Sequence, residues 1–273
     1  MDNNFYKLKD NIFNSFCDYI KSHCGINLTK DKRILVEGRL QKVAKILKYD
    51  NINTLASDFI SNKLLHHHHN AIIDAITTNT TEFFREPYHF DFLKEYILYQ
   101  QKTKKYFEIW CAASSTGEEP YTIAITLSEL QNQFNFSFNI LATDISEKVL
   151  QIAKNAIYES DKLKNISPEI LKKYFMISKS NPNLFKIVPE IRRLIVFDKL
   201  NLTSDFYFPH KFDVIFLRNV LIYFDDNMKF SILKKIINFM HEKSILFLGH
   251  SETITNKNLN LIRMQNTMYK LRL

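Results

Sequence analysis

The sequence predicts an α/β protein in which a mostly parallel sheet is covered by helices and preceded by a purely helical segment. Three observations carry this reading. Up to residue 77, apolar residues recur at helical spacing. Beyond it, short β-rich runs alternate with helix-like stretches, the signature of strand–helix–strand units. Five successive runs also end in small or polar residues, as strands do when their carboxyl ends line a ligand site.

The elements follow in order. Phe5, Leu8, Ile12, Phe16 and Ile20 form one helical stripe, and Gly25 stops it. Thr29 is placed to cap a second helix. Leu35, Val36, Leu40, Val43 and Leu47 lie near one side of it, and Lys32, Arg33, Arg39, Lys42, Lys45 and Lys48 on the other. Asn53 is placed to cap a short third helix, and a fourth runs through "KLLHHHHNAIIDAIT". The β-rich runs are "YFEIWC" (106–111), "FNILAT" (138–143), "RLIVF" (193–197), "FDVIFL" (212–217) and "SILFLG" (244–249). Between them lie the helical stretches "EEPYTIAITLSELQNQ", "SEKVLQIAKNAI" and "DNMKFSILKKIINFMH". The segment from Tyr174 to Arg192 reads as an insertion of short antiparallel strands, and "NLIRMQNTMYKLRL" as a closing pair of strands.

At 273 residues and 32.4 kDa, the chain has room for a sizeable core in one large or two smaller domains. A net charge of +8 suggests anionic partners, whether nucleic acid, membrane surface or acidic protein, and charge alone does not choose among them. Cys17, Cys24 and Cys111 form neither a disulfide framework nor a metal spacing, which points to a reducing compartment. The start, Met1 to Lys7, lacks the apolar core of a signal peptide, and no apolar run approaches membrane-spanning length. A soluble cytoplasmic protein is expected. The run His66 to His69 is a weak metal signal, because only His66 and His69 share a helix face. We expect a solvated helix there and no metal.

The first β-rich run ends in Ala112-Ala113-Ser114-Ser115-Thr116-Gly117, then Glu118 and Glu119. Small residues at a strand end let a ligand approach the backbone. Two carboxylates at the following helix start favour a cation there, although acids in a first turn also simply suit the helix dipole. Asp144, at the end of the second run, stands where an acid holds a ribose hydroxyl pair. Its other role would be a helix cap, for which Ser146 competes. Asn201, Arg218-Asn219 and His250-Ser251-Glu252 end the later runs.

Four blocks, "TTNTTEFFRE" (77–86), "AASSTGEEPY" (112–121), "ATDIS" (142–146) and "FLRNVLIYFD" (216–225), with "GHSE" (249–252), resemble the chemotaxis receptor methyltransferase family of CheR type. The resemblance spans nearly the whole chain. It implies a class I S-adenosylmethionine-dependent methyltransferase fold, Rossmann-like with a seven-stranded sheet and one reversed strand. It also implies a small all-α N-terminal receptor-recognition domain (1–77), a catalytic domain (78–273) and a β-subdomain inserted at about 174–192. The implied reaction moves a methyl group from S-adenosylmethionine to glutamate side chains of chemoreceptors, leaving S-adenosylhomocysteine.

Carried over by motif, Asn79, Thr81 and Arg85 match cofactor contacts before the first main strand. Glu119 and Asp144 match its acidic contacts, Asn201 and Leu202 the pair near the adenine, and Arg218 and Asn219 the pair after the fourth strand. Arg85 and Tyr223 match residues beside the transferred methyl. The implied partner is the cytoplasmic helical bundle of a methyl-accepting chemoreceptor, so the enzyme is expected to be cytoplasmic, recruited to receptor arrays and monomeric. The loop 178–183 lacks the glycines found where the subdomain holds a receptor's C-terminal peptide, so no dependence on such a peptide is expected. Two other readings stand beside this one. A nucleic-acid methyltransferase would suit the charge, but the Asn/Asp-Pro-Pro-aromatic run of the amino-methylating type is replaced here by Arg218-Asn219-Val220-Leu221. A non-catalytic module that senses the cofactor or docks a receptor is the other.

Overall fold

A computed structural model describes residues 7–254 and 258–272. The expected helical contact of Phe5 lies outside the described residues. The chain divides into two compact units: residues 1–78 with 223–229, and residues 79–222 with 230–273.

Among the described residues up to 78, the first unit holds the helices α1 (Asp10–Cys24), α2 (Arg33–Leu47), α3 (Ile52–Ile60) and α4 (His66–Ile76). Gly25 ends α1 in a left-handed conformation at φ 71°, its N–H closing onto Lys21 O. Phe13, Phe16 and Ile20 of α1 pack with Val36, Leu40 and Val43 of α2, Leu55 and Phe59 of α3, and Ile72 and Ile76 of α4. Burying such side chains contributes roughly 1.5–3 kcal/mol each.

Several local expectations change. Thr29 makes no side-chain cap, and a 3-10 turn (Lys30–Lys32) leads into α2 instead. Asn51, not Asn53, caps α3, accepting from Thr54 N; Asn53 instead bonds Lys7 O and Lys9 N. Arg33 turns inward to Glu37, and Arg39 donates to the carbonyls of Ile76 and Thr77 and to Thr78 Oγ1. The outer face of α2 therefore keeps Lys42 and Lys45 and adds three apolar side chains, Ile34 (83% exposed), Leu35 (48%) and Ile46 (76%). The histidine run is not wholly solvated either. His69 stacks on Phe59 at 4.4 Å, and its Nε2 lies 3.0 Å from the Tyr19 hydroxyl.

The second unit opens with α5 (Tyr88–Gln100) and then alternates as expected. The strands of its main sheet are β1 (Tyr106–Cys111), β2 (Ser137–Asp144), β6 (Ile195–Lys199), β7 (Phe212–Leu217), β8 (Met240–Leu248), β9 (Leu261–Gln265) and β10 (Met268–Leu271). Their order is β6-β2-β1-β7-β8-β10-β9. Only β10 runs against its neighbours. Asn266 and Thr267 alone join it to β9, and so short a link permits only an antiparallel pair. Asn266 takes φ 42° there, a conformation that asparagine tolerates. Helices α6 (Glu118–Gln131), α7 (Glu147–Asn155) and α10 (Asp226–Ile237) connect the strands, with residues 226–229 of α10 grouped in the helical unit. Every residue of β7 is buried, as a central strand covered on both faces requires.

A separate three-stranded antiparallel sheet, β3-β5-β4, comprises β3 (Ile157–Glu159), β4 (Phe175–Ile177) and β5 (Leu184–Ile187). Helix α8 (Pro168–Tyr174) leads into β4, and α9 (Pro189–Arg192) follows β5. β3 was not expected, because Ile157 reads as the end of a helical stretch. Ala156 breaks that helix at φ 55°, and the chain turns into β3. The 178–183 loop closes without a residue at positive φ. Ser178 Oγ accepts from Asn181 N, and Asn181 Oδ1 from Asn183 N. Side-chain bonds of this kind replace the left-handed asparagines that the sequence allows.

Candidate active site

Parallel strands bring the carboxyl ends of β1, β2, β6 and β7 to one edge, and the strand order reverses between β1 and β7, where open α/β sheets bind ligands. The small-residue loop after β1 is fixed there by its own backbone. Ser114 N donates to Thr143 O at 2.9 Å, and Ser115 N to Asp144 Oδ2 at 2.8 Å. Ser115 Oγ donates to Asn79 O at 2.9 Å, tying the 79–86 segment to the same point. On the other side, Leu200 N donates to Asp144 O, which brings Asn201 and buried Leu202 to this edge. Asn201 Oδ1 accepts from both Thr203 N and Thr203 Oγ1. Ser146 caps α7, accepting from Val149 N, so Asp144 is not needed as that helix's cap.

Gly117 sits at φ 96°, and a Cβ there would lie 2.9 Å from both Ala153 Cβ and the Tyr158 hydroxyl. The glycine is required by the protein's own packing as well as by its backbone angle, not only by a ligand's approach.

The two acids do not stand as bare charges. Glu118, fully buried, accepts from Thr116 Oγ1 at 2.6 Å and lies 3.3 Å from Lys162 Nζ. Glu119 pairs with Arg218 and accepts from the Cys111 thiol at 3.2 Å. Burial first, and then Glu119, pushes that thiol well above its ordinary pKa, so Cys111 stays protonated. Protein cations, Lys162 and Arg218, thus already face both carboxylates, so the pair does not by itself call for an external cation.

Arg218 is 4% exposed; protein acceptors hold its two terminal nitrogens, while its Nε finds no hydrogen-bond partner among the described residues. It pairs with Glu119, approaches Glu86 at 3.3 Å and donates to Arg85 O at 2.7 Å. Burial works against the Glu86 carboxylate, but Arg218 and the His250 N–H outweigh it and hold its pKa below the usual range. The segment these contacts grip is strained, with Phe84 at φ 56° and Glu86 at φ 57° on either side of Arg85. Such conformations cost about 1–3 kcal/mol each and persist where the surroundings enforce them. The Arg85 side chain is 34% exposed; among the described residues its guanidinium makes one hydrogen bond, to Thr80 O at 3.2 Å, and only approaches Glu86 at 3.9 Å.

Asn219 is held at φ 57° by Glu252. That buried carboxylate accepts from the backbone N–H groups of Asn219, Leu221 and Gly249, each at 2.7 Å, and from Ile222 at 3.4 Å. Tyr223 is grouped with the helical unit, where its carbonyl accepts from Asn27 N and its hydroxyl lies 3.5 Å from Thr78 O. The other expected residues are brought together in the second unit by the contacts above.

The donor set fits S-adenosylmethionine. Asp144 ends β2 with its carboxylate at this edge, and Ser114 Oγ, 1% exposed, finds no hydrogen-bond partner among the described residues. A buried orphan of this kind at a strand edge is an opening for a ligand's polar group. Among the described residues no group of three or more His, Cys, Asp or Glu is placed to hold a metal. No helix among them is long and apolar enough to cross a membrane.

Residues 79–270 match the family profile for the CheR methyltransferase SAM-binding domain, and residues 11–77 match that for the CheR all-alpha domain. The chain belongs to the CheR methyltransferase family. This CheR chain is 39% identical over 257 residues to the chemotaxis protein methyltransferase of Borreliella burgdorferi, covering 89% of this chain and 88% of that one. It is 35% identical to the corresponding protein of Salmonella typhimurium, with coverage of 97% and 91%. Identity to that of Escherichia coli is 33%, with coverage of 97% and 92%. The protein is an S-adenosylmethionine-dependent methyltransferase of chemotaxis with a class I fold.

Sequence reasoning did not assign roles to Ser115, Glu86, Glu252 or Lys162 in this CheR site. Ser115, Glu86 and Glu252 lie in recognised blocks and Lys162 lies outside them, but each acts by holding backbone. Which carbonyl or N–H a side chain reaches is set by the tertiary fold.

Proposed function

We propose that this enzyme methylates the side-chain carboxylate of specific glutamates in chemoreceptors, giving glutamate methyl esters and S-adenosylhomocysteine for chemotactic adaptation. The observation that carries the reading is the contrast between two arginines in one site. Arg218 is buried with both terminal nitrogens bound to protein acceptors, whereas Arg85 is half-buried and makes one hydrogen bond. A forked guanidinium with capacity to spare suits a substrate carboxylate.

The bound cofactor supplies a methyl group activated by a sulfonium. A glutamate carboxylate, with an ordinary pKa of about 4.3, is already ionised at neutral pH, so no general base is needed. What remains is alignment and removal of water, and alignment supplies up to roughly 7–11 kcal/mol in ideal cases. Arg85 orients the incoming carboxylate. Asp144 accepts from the ribose hydroxyls, Asn201 and Leu202 border the adenine, and Asn79, Thr81, Glu119 and Asn219 complete the cradle. Arg218 holds Glu119, Glu86 and the Arg85 backbone in register. Tyr223 joins the set on its motif alone.

Chemoreceptor methylation regions are glutamate-rich helical bundles. The outer face of α2 fits such a partner, with Lys42 and Lys45 for the acids and Ile34, Leu35 and Ile46 for apolar neighbours. We place receptor recognition in residues 1–77 and expect no dependence on a receptor C-terminal peptide at the 178–183 loop. The test is labelled-methyl transfer to chemoreceptor cytoplasmic fragments, to the same fragments with the methylated glutamates replaced by alanine, and to RNA. Label only on the first supports the reading, and equal labelling of RNA overturns it.

A further inference from the structure

We propose that Lys162 is a positioning residue for the cofactor: its ammonium bridges Glu118 and Thr81 and so locks together the two loops that hold S-adenosylmethionine. The inference rests on placing the cofactor against residues 79–86 and 112–119.

Lys162 belongs to neither loop. It lies in the 3-10 turn Ser160–Leu163, which leaves strand β3 of the small sheet. Its Nζ lies 3.3 Å from Glu118 Oε1 and donates to Thr81 O at 3.3 Å. Glu118 is the first residue of α6 and is fully buried; its Oε1 has no hydrogen bond, and among the described residues the Lys162 ammonium is the only cation paired with it. The Lys162 side chain is 47% exposed and reaches this carboxylate from the surface. A buried carboxylate that loses its single cation is costly, so the pair constrains the start of α6 strongly.

The rest of this segment grips the same loops. The Tyr158 hydroxyl donates to Thr116 O at 2.8 Å and fills the space that a Cβ on Gly117 would need. Asn165 Nδ2 reaches Glu82 Oε2 at 3.4 Å. The small sheet is therefore fastened to both cofactor loops: Tyr158 also packs its ring against Phe83 at 5.0 Å, and Lys162 adds the charged bridge between the two.

Lys162 touches no reacting atom in this scheme. Its loss should loosen the cofactor cradle without changing the chemistry once the cofactor is in place. The experiment measures S-adenosylhomocysteine binding by calorimetry, and KM for S-adenosylmethionine and kcat, in the full chain. The variants are Lys162→Met, Lys162→Arg, Glu118→Gln and the Glu118→Gln/Lys162→Met double. Lys162→Met should raise Kd and KM about tenfold with kcat within twofold, and Lys162→Arg should restore most of the affinity. The double variant should bind no more weakly than Glu118→Gln alone, because the two residues act through one contact. Wild-type affinity in Lys162→Met, a loss confined to kcat, or fully additive effects would overturn the proposal. Lys162→Arg keeps the charge and so keeps the test decisive if Lys162→Met does not fold: an Arg variant with tenfold weaker binding also overturns it. Failure of the wild-type chain to bind S-adenosylhomocysteine would instead strike at the placement of the cofactor.

Discussion

The backbone N–H of Ser115 donates to Oδ2 of Asp144 at 2.8 Å, joining the loop after β1 to the end of β2. Asp144 thus shapes the loop while presenting its charge at the strand edge. Replacing it by alanine removes both roles. Asp144→Asn loses the charge and keeps one acceptor for the two backbone N–H groups, Ser115 and Ser146, that the carboxylate serves. We expect Asp144→Asn to weaken S-adenosylhomocysteine binding by about 1–3 kcal/mol, with a smaller drop in melting temperature than Asp144→Ala. Calorimetry on both variants checks this, and equal affinity in wild type and Asp144→Ala would remove Asp144 from the site.

Arg218 neutralises two acids at once. Arg218→Met leaves Glu86 and Glu119 without their cation, and breaking a buried pair in this way costs about 3–5 kcal/mol. Urea denaturation should show a loss of that order. A loss under 1 kcal/mol would mean that water or relaxation compensates the carboxylates.

Gly117→Ala forces a side chain onto a backbone at φ 96° and against Ala153 and Tyr158. Strain of this kind is worth about 1–3 kcal/mol. The variant should melt lower and bind the cofactor more weakly, because the displaced loop carries Ser115 and Glu119. An unchanged melting temperature would show that the loop yields freely.

His89 is fully buried beside Glu86, with Nε2 on Thr267 Oγ1 at 3.1 Å. Burial, reinforced by Arg218, pushes its pKa down from 6.5 to about 3. The folded protein holds this imidazole neutral while the unfolded chain protonates it below about pH 6.5. Stability is therefore present at neutral pH and lost as pH falls from about 6.5 towards 3, by roughly 1.4 kcal/mol per pH unit. Between pH 7 and pH 5 the wild type should lose about 2 kcal/mol more than His89→Gln, which lacks the titrating ring. Parallel losses in urea midpoints would assign the acid sensitivity elsewhere, with the depressed carboxylates Glu86 and Asp213 titrating at lower pH.

The outer face of α2 makes a kinetic prediction. Reversing Lys42 and Lys45 to glutamate should raise KM for the receptor several-fold and leave cofactor affinity unchanged. The difference should shrink as salt shortens the screening length from about 10 Å at 0.1 M. Arg39 does not belong in that test, since it holds the carbonyls that end α4. A receptor KM insensitive to both reversals would leave this face as ordinary solvated surface.

The alternation of apolar runs made the main sheet readable, because period and burial leave a record in residue type. Runs such as 106–111 and 212–217 coincide with β1 and β7. The acids at strand ends stood out in the sequence too, but not what they hold: Asp144, Glu119 and Glu252 each grip protein groups there. Three things were not legible. β3 is three residues long and follows a helix stopped by Ala156 rather than by glycine or proline. The direction of Arg39 depends on where α4 ends. The pairing of Glu119 with Arg218, 99 positions apart, is a tertiary contact that no local pattern encodes.

The central claim concerns the acceptor atom, and the stability of the product decides it. After transfer of a tritiated methyl group to chemoreceptor, the labelled receptor is exposed to mild alkali and volatile methanol is collected. A glutamate methyl ester hydrolyses, so the label should leave as methanol, and Arg85→Ala should lower the amount formed strongly while the protein stays folded. Label that stays on the receptor through alkali, or near-normal labelling by Arg85→Ala, would contradict transfer to a carboxylate held by Arg85.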